Sequence, residues 1–179
     1  MDFLLSILWF LAPAGMANTI PPVAAKLLPN WDWPLDFNQQ WRGQRIFGAH
    51  KTFRGVVAGI IASFLIHQLQ RYLVSQHESL QGLSINENYY TWWLGPWMGF
   101  SALMSDAIKS FLKRQKRIKP GHSWYFWDQA DWLIGTILGC YWFIDFQLPF
   151  IAGAILLGIV LSLAGHVIGY WLKINKESI

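Results

Sequence analysis

The stretch Ser105-Asp106-Ala107-Ile108-Lys109-Ser110-Phe111-Leu112-Lys113-Arg114 carries an apolar segment directly into a basic loop. In a helix, Asp106, Lys109 and Lys113 would share one face, because side chains three and four positions apart are neighbours. An acid beside an apolar run is costly in a membrane and usually faces a cavity or a partner. The stretch therefore predicts a membrane helix that presents charged groups at one face of the bilayer.

The composition is that of an integral membrane protein. Of the 179 residues, 54% are hydrophobic and 13% are charged, whereas soluble domains carry about 25% charged residues. Twelve Trp residues indicate aromatic belts at headgroup depth. A single cysteine, Cys140, excludes an internal disulfide, and no Cys/His spacing fits zinc. We expect one domain over residues 1–179 and no nucleic-acid partner, since the excess of Lys and Arg fits loops that contact anionic headgroups or substrates.

Five hydrophobic segments predict an all-α membrane protein with five transmembrane helices. The segments span residues 3–24, 56–73, 91–112, 125–146 and 148–172. About 20 apolar residues are needed to cross ~30 Å of hydrocarbon. The first segment, which prolines interrupt, and the fourth, which begins with Asp128 and Asp131, meet this need only marginally. The Trp-rich residues 29–44 are interpreted as an interfacial loop or a short surface helix. Because Met1 is followed by Asp2 and no positive stretch, we expect a retained first helix rather than a signal peptide.

Prolines predict a break in the first helix. The stretch Ala17-Asn18-Thr19-Ile20-Pro21-Pro22 frees backbone groups that lipid cannot satisfy. Such a break either lines a cavity or marks a helix end at the interface, and the sequence favours neither interpretation over the other.

The distribution of positive charge predicts the orientation in the membrane. Thirteen of the fourteen Lys and Arg fall in alternating connections, and only Arg71 lies near the other side. By the positive-inside rule, this pattern places the N-terminus outside and the C-terminus in the cytoplasm of a multi-pass protein of the cell membrane.

Three acids predict a magnesium site at the cytoplasmic face. Asp128 and Asp131 stand three residues apart at the start of the fourth helix, where the helix dipole alone would favour them. Asp106 could simply pair with Lys109 within the third helix. However, Mg²⁺ takes oxygen ligands, usually carboxylates together with substrate phosphates. We favour the Mg²⁺ site because a chain with only ten acids places these three beside long apolar runs.

The stretch Gly48-Ala49-His50-Lys51-Thr52-Phe53-Arg54-Gly55 predicts a phosphate-binding start to the second helix. Thr52 can cap this helix, and Lys51 and Arg54 then stand where backbone N–H groups favour an anion. The alternative is ordinary cytoplasmic flanking charge. The stretch is not a Walker P-loop, because the glycine-rich run before the lysine is missing.

In their order along the chain, these motifs resemble the archaeal CDP-archaeol synthases, which are membrane CTP:lipid cytidylyltransferases related to the CDP-diacylglycerol synthases. The resemblance covers most of the chain. Its motifs are Ala17-Asn18-x-x-Pro21, Gly48-x-x-Lys51-Thr52-x-Arg54-Gly55, Ser105-Asp106-x-x-Lys109-Ser110-Phe111-x-Lys113-Arg114, Lys119-Pro120-Gly121 and Asp128-Gln129-x-Asp131. His50 and Tyr170 depart from the family pattern, in which Asn is common, and these departures leave the lipid substrate open.

The resemblance implies a Mg²⁺-dependent reaction between CTP and a lipid phosphate. The lipid phosphomonoester would attack the α-phosphorus of CTP, and pyrophosphate would leave. The implied catalytic residues are Asp106, Asp128, Asp131 and Lys109, with the three acids as metal ligands. The implied phosphate-binding residues are Asn18, Lys51, Thr52, Arg54, Lys113 and Arg114. The resemblance alone implies selectivity for CTP over purine triphosphates.

Two alternatives stay open from the residues alone. The first is a non-enzymatic membrane module whose acids and cations form structural ion pairs. The second is a CDP-alcohol phosphotransferase, which is a weaker rival because its Asp-Gly…Ala-Arg…Gly…Asp…Asp series is missing. The sequence assigns no role to His122 or His166. It also leaves the oligomeric state open, a homodimer included, and membrane lipids are expected as further partners.

Overall fold

Five α-helices and one β-hairpin make up the computed structural model, which describes residues 2–118 and 124–171. The helices are α1 (Asp2–Leu27), α2 (Phe53–Gln76), α3 (Leu94–Gln115), α4 (Tyr125–Cys140) and α5 (Leu148–Trp171). Strand β1 (Gln40–Trp41) pairs antiparallel with β2 (Gln44–Arg45) between α1 and α2, and two 3₁₀ helices, Glu78–Leu83 and Glu87–Tyr90, connect α2 to α3.

Residues 29–39 form the loop that was one of the two interpretations, whereas the hairpin corrects that interpretation from residue 40 onward. Arg42 and Gly43 form its two-residue turn, with φ angles of 53° and 75°. A turn with two positive φ angles matches the right-handed twist of paired strands and closes a hairpin. Because arginine is an unusual residue in such a turn, the hairpin is hard to predict from the sequence.

The helices confirm the prediction of an all-α membrane protein. Within the described residues, Phe3–Leu27, Phe53–Gln76 and Leu148–Gly165 are long and apolar enough to cross a membrane. Helix α3 carries charged residues in its second half. Helix α4 has 16 residues, or about 24 Å at 1.5 Å per residue, against a hydrocarbon core of ~30 Å. The count of five spans therefore stays a prediction.

Helix α4 ends earlier than the predicted residue 146. The chain leaves the helix after Cys140 and passes through turns, in which Phe143 N donates to Cys140 O at 2.9 Å. The side-chain amides of Asn86 and Asn88 each lie 3.4 Å from Phe143 O as donors. These contacts from the α2–α3 connection satisfy the carbonyl outside a helix, so the helix does not need to continue.

The prolines of α1 lie inside a continuous helix, so the predicted break at residues 17–22 is wrong. A proline lacks an N–H, which leaves the carbonyl four residues earlier without its helical donor. For Pro13 this carbonyl belongs to Trp9, and it accepts from Gln70 Nε2 at 2.7 Å and from Tyr89 Oη at 3.1 Å. Buried side chains of the neighbouring segments satisfy the freed group, so the helix persists.

Close packing of α1, α2 and α3 depends on Gly59 of α2. A Cβ at this position would lie 2.7 Å from Ala17 O on α1 and 2.7 Å from Leu103 Cδ1 on α3. The Ala17 carbonyl is the one that Pro21 leaves without a helical donor, and it fits against the bare Cα of Gly59. Small residues let membrane helices approach closely in this way.

Helices α3 and α4 also approach closely, which brings the acids of both helices together. A Cβ at Gly135 would lie 2.7 Å from Ser101 O. One turn further along α4, Trp97 Nε1 donates to Gly139 O at 2.8 Å. The separation of α3 and α4 is therefore set by backbone contact rather than by bulky side chains.

Asp36 organises the loop that carries the chain from α1 to α2. Its buried carboxylate accepts hydrogen bonds from the Arg45 guanidinium and from the backbone N–H groups of Asn38, Phe47 and Gly48. Burial acts to raise the pKa of Asp36, but these donors outweigh it and hold the pKa below its ordinary value. The loop is therefore anchored on an ionised carboxylate.

We predict that Gly59→Ala destabilises the protein by about 1–3 kcal/mol, because the added methyl group overpacks a three-helix contact. Gly165→Ala is the matched control, since a Cβ at that helical glycine meets nothing within 4 Å. Thermal unfolding in detergent measures both variants. Equal midpoints for the two would contradict the proposed packing.

We predict that Asp36→Asn destabilises the protein at neutral pH by about 1.5–3 kcal/mol, the range for hydrogen bonds to a charged group. Because the folded pKa is lowered, this stabilisation is present above the unfolded pKa and is lost as pH falls through the folded pKa. The difference between wild type and variant should therefore shrink in acid. Thermal unfolding at several pH values measures this difference in stability, and Asp32→Asn, at an exposed position, is the control. A difference between wild type and Asp36→Asn that does not change with pH would contradict the prediction.

Candidate active site

The ammonium group of Lys109 lies among three carboxylates. Its Nζ is 3.1 Å from Asp106 Oδ1, 3.1 Å from Asp128 Oδ1 and 2.9 Å from Asp131 Oδ2. Asp106 and Lys109 come from α3, and the other two acids come from the beginning of α4. The structure thus brings together the three acids that the sequence singled out, although they lie on two helices.

Two further lysines complete this group. Lys51, which precedes α2, forms an ion pair with Asp106 Oδ2. Lys113 Nζ donates to both oxygens of Asp128, at 3.1 and 3.0 Å. We call the six residues the Asp–Lys cluster: Asp106, Asp128, Asp131, Lys51, Lys109 and Lys113. Three ammonium groups balance three carboxylates, so the fully ionised cluster carries no net charge.

Secondary structure orients the side chains that α3 and α4 contribute to the cluster. Asp106, Lys109 and Lys113 share one face of α3, as their spacing predicted. Asp128 also accepts a hydrogen bond from Trp124 N, just before α4, so it caps that helix as well as pairing with lysines. The helix-dipole interpretation of Asp128 is therefore compatible with a place in the cluster.

The loop anchored on Asp36 fixes the position of Lys51. Leu35 N donates to Lys51 O at 2.8 Å. Thr52 caps α2 as predicted, and its Oγ1 accepts from Gly55 N at 3.3 Å. The backbone on both sides of the lysine is thus held, and only its side chain is left to reach Asp106.

Arg54 lies outside the cluster. Its Nη1 donates to Leu28 O and, at 3.2 Å, to Pro29 O, and the residue is buried. These carbonyls follow the last turn of α1, so Arg54 ties the start of α2 to the end of α1. No ion pair joins it to an acid in the described residues.

The remaining predicted residues either make no contact with the cluster or lie outside the described residues. Asn18 is half-buried on α1, and Arg114 is half-buried in the last turn of α3. Neither forms an ion pair or hydrogen bond with the cluster in the described part of the chain. The motif at 119–121 and His122 lie outside the described residues, as do the side chains of His166 and Tyr170.

The donor set suits a hard divalent cation in type and in convergence. Three carboxylates supply oxygen ligands, which Mg²⁺ prefers. Asp131 is buried, and its Oδ2 contacts Lys109 Nζ at 2.9 Å. In the described ranges, no group of three or more His, Cys, Asp or Glu side chains is already arranged as a metal centre. The Lys109 ammonium takes the central place, so a bound cation would require Lys109 to withdraw.

Comparisons with known proteins agree on one family. The family model described as CarS-like, CDP-archaeol synthase, matches residues 1–178. A protein named CDP-archaeol synthase from Methanoregula boonei is 31% identical over 175 residues, which are 93% of this chain and 99% of that protein. One of the same name from Pyrococcus furiosus is 31% identical over 142 residues, covering 79% and 77%.

A solved structure shares the fold. It is described as an intramembrane enzyme for archaeal membrane lipids biosynthesis, and it superposes with a TM-score of 0.71 at 23% identity, over 89% of this chain and 92% of that one. Together with the apolar helices, this likeness identifies a multi-pass membrane protein. Because the family match spans nearly the whole chain and the relatives align along most of their own length, the chain belongs to the CarS-like CDP-archaeol synthase family.

Proposed function

We propose that the chain transfers a cytidylyl group from CTP to a lipid phosphomonoester, which yields a CDP-lipid and pyrophosphate. The observation that carries this proposal is that Asp106, Asp128 and Asp131 converge on the ammonium group of Lys109. The chain in which they do so belongs to this family. An oxygen of the lipid phosphate forms a bond to the α-phosphorus of CTP. The bond from that phosphorus to the bridging oxygen of the β-phosphate breaks, and pyrophosphate takes the electron pair.

Catalysis of such a transfer consists mainly of positioning and charge neutralisation. Asp106, Asp128 and Asp131 would hold Mg²⁺, which supplies positive charge to the phosphate oxygens when it is bound. The phosphomonoester is already an anionic nucleophile, so the mechanism needs no general base from a histidine. These roles follow from donor chemistry and from the motifs shared with the family.

The lysines of the cluster then have two successive partners. With no nucleotide bound, Lys51, Lys109 and Lys113 form ion pairs with the carboxylates and balance their charge inside the protein. When a triphosphate enters, these ammonium groups exchange carboxylate contacts for phosphate oxygens. The exchange keeps each ammonium in a charge-assisted contact, and the released carboxylates would then be available to Mg²⁺. Arg114 lies close behind in sequence and is the candidate for an additional phosphate contact.

The main alternative is a purely structural ion-pair cluster. A buried network with only a structural role is expected to satisfy every oxygen, because an unpaired buried polar group is costly. The three carboxylates meet this expectation, since each is paired with a lysine. Membership in the CDP-archaeol synthase family is what favours a ligand role over a purely structural one. Arg54 fits the structural role better, since it ties two helix ends together.

We further propose that residues 1–179 form one domain with five membrane-spanning helices, the N-terminus outside and the C-terminus in the cytoplasm. The alternating basic connections support this orientation. The charged helices α3 and α4 pack against α1, α2 and α5, and the side chains of their paired acids and lysines are mostly buried. The Asp–Lys cluster then opens toward the cytoplasm, where CTP is available.

We predict that Asp131→Asn lowers the rate of CDP-lipid formation about 10³-fold, as expected when a group that stabilises transition-state charge is removed. The protein should still insert and fold. Purified variants assayed with labelled CTP and a panel of ether- and ester-linked lipid phosphates measure the effect and identify the lipid. Chelation of divalent metal should abolish wild-type turnover, and added Mg²⁺ should restore it.

The control for this variant is Asp32→Asn, an exposed acid outside the cluster. It should keep wild-type activity. Near-normal turnover by Asp131→Asn would refute the ligand role and support the structural ion-pair alternative.

We predict that single cysteines label from opposite sides of the membrane. In a Cys140→Ala background, Gly82→Cys should react from outside and Lys116→Cys from the cytoplasm, because both positions are exposed in connections at opposite ends of α3. An impermeant thiol reagent on intact cells and on inverted vesicles makes the measurement. Labelling of both positions from one side would disprove the proposed orientation.

A further inference from the structure

A cleft of about 450 Å³ opens between the β-hairpin and the end of α3. Its volume falls within the range of small-molecule sites, roughly 300–1,000 Å³. Six residues line it: Trp41, Arg42, Gln44, Phe111, Gln115 and Arg117. None of them belongs to the Asp–Lys cluster, and the proposed transfer reaction uses none of them.

The cleft and the Asp–Lys cluster lie on opposite faces of α3. At about 100° of rotation per residue, Phe111 is displaced by roughly 200° from Lys109 around the helix axis, and Gln115 by roughly 240°. Lys109 and Lys113, by contrast, lie within about 40° of each other. A ligand in the cleft is therefore separated from the cluster by the body of the helix.

The cleft is lined by positive charge and carries an unsatisfied donor. Arg42 and Arg117 both line it, and neither has an ion-pair partner among the described residues. The neighbouring Arg45 differs, because Asp36 neutralises it. Gln115 Nε2 is buried and has no hydrogen-bond acceptor in the described part of the chain. Such a group is costly unless a ligand or solvent accepts from it.

Both arginines occupy backbone positions that favour glycine. Arg42 is the first residue of the hairpin turn, with φ 53°, where Asn or Gly is preferred. Arg117 has φ 57° directly after the end of α3, where Arg117 N donates to Arg114 O at 2.9 Å and Ile118 N donates to Lys113 O at 3.0 Å. This pattern is a Schellman motif, whose left-handed residue is usually Gly.

Two unrelated turns thus place an arginine in a left-handed conformation at the edge of the same cleft. Each conformation costs the fold free energy that glycine or asparagine would not cost. Residues in such conformations cluster at active sites and ligand-binding segments. The two arginines are therefore better explained by a shared ligand than by the stability of their turns.

We propose that this cleft binds a phosphate-bearing anion, distinct from the triphosphate at the Asp–Lys cluster, and that the source of the anion is the headgroup of a membrane lipid. Guanidinium groups bind phosphate oxygens in a bidentate manner, and the Gln115 amide supplies a further donor. The aromatic side chains of Trp41 and Phe111 complete the lining. Trp41 is 55% exposed, and tryptophan is enriched at headgroup depth.

The test compares ligand retention with stability in a double variant, Arg42→Asn with Arg117→Gly. Both substitutions suit the left-handed backbone, so the thermal midpoint should equal or exceed that of wild type. The probes are labelled phosphatidic acid in phosphatidylcholine nanodiscs and, separately, labelled pyrophosphate. Both are measured in a chelator and without CTP, so the outcome does not depend on the transfer reaction. Retention of phosphatidic acid should fall at least about tenfold, because two charge-assisted contacts are lost.

Two further variants separate the site from general effects. Gln115→Leu removes the buried donor without touching either turn, and it should weaken retention while the fold stays intact. Lys26→Gln with Arg71→Gln removes the same net charge outside the cleft and should retain the lipid as wild type does. Unchanged retention in the arginine double variant and in Gln115→Leu, or an equal loss in the charge control, would overturn the proposal. A loss of pyrophosphate binding alone would support a phosphate site but overturn the lipid headgroup as its source.

Discussion

The contact between the Lys109 ammonium and three carboxylates is the constraint on which the rest of the structure depends. Charges inside a membrane protein are tolerated only when they are paired and shielded from lipid. Lys109 draws Asp106 of its own helix toward Asp128 and Asp131 of the next. The charges therefore require α3 and α4 to lie side by side, with the other helices around them.

The packing of the helices meets this requirement through backbone contacts. The glycines of α4 let its backbone approach that of α3, and Gly59 lets α2 close on α1 and α3. On α1, Pro13 frees the Trp9 carbonyl, which accepts hydrogen bonds from the side chains of Gln70 and Tyr89. The result is a bundle with two internal groups of polar side chains, one near each end of α3. The paired charges lie near the α3–α4 connection, and the neutral hydrogen bonds lie toward the opposite end of α3.

The sequence predicted most helix positions from local patterns, and it predicted that the three acids come together. Their role as metal ligands stays a prediction. Helices α2 and α3 begin and end within one turn of the predicted segments. The continuity of α1 could not be predicted, because the carbonyls freed by Pro13 and Pro21 meet distant parts of the chain: Gln70 and Tyr89 at Trp9 O, and Gly59 at Ala17 O. Arg54 could not be assigned its tether to Leu28 from flanking charge alone. The cleft was missed for the same reason, since the two turns that supply its arginines are far apart in sequence.

Positively charged side chains lie on both sides of α3, but their partners differ. On one face, lysines pair with acids and are available for exchange with a substrate phosphate. On the other, the two arginines are free of carboxylate partners among the described residues and face open space. Lysine suits the first role as a mobile point charge, whereas arginine suits the second through its fixed, planar fork. The residue types therefore agree with the geometry on each face.

The central claim is that Asp106, Asp128 and Asp131 are ligands for a divalent cation whose place Lys109 takes in its absence. The most direct measurement is an experimental structure with CTP and Mn²⁺, in which anomalous scattering locates the metal. The account predicts Mn²⁺ at about 2.1–2.2 Å from oxygens of these carboxylates, a distance close to that of Mg²⁺, with Lys109 Nζ moved onto a phosphate oxygen. Mn²⁺ bound elsewhere, with Lys109 still among the three carboxylates, would contradict it.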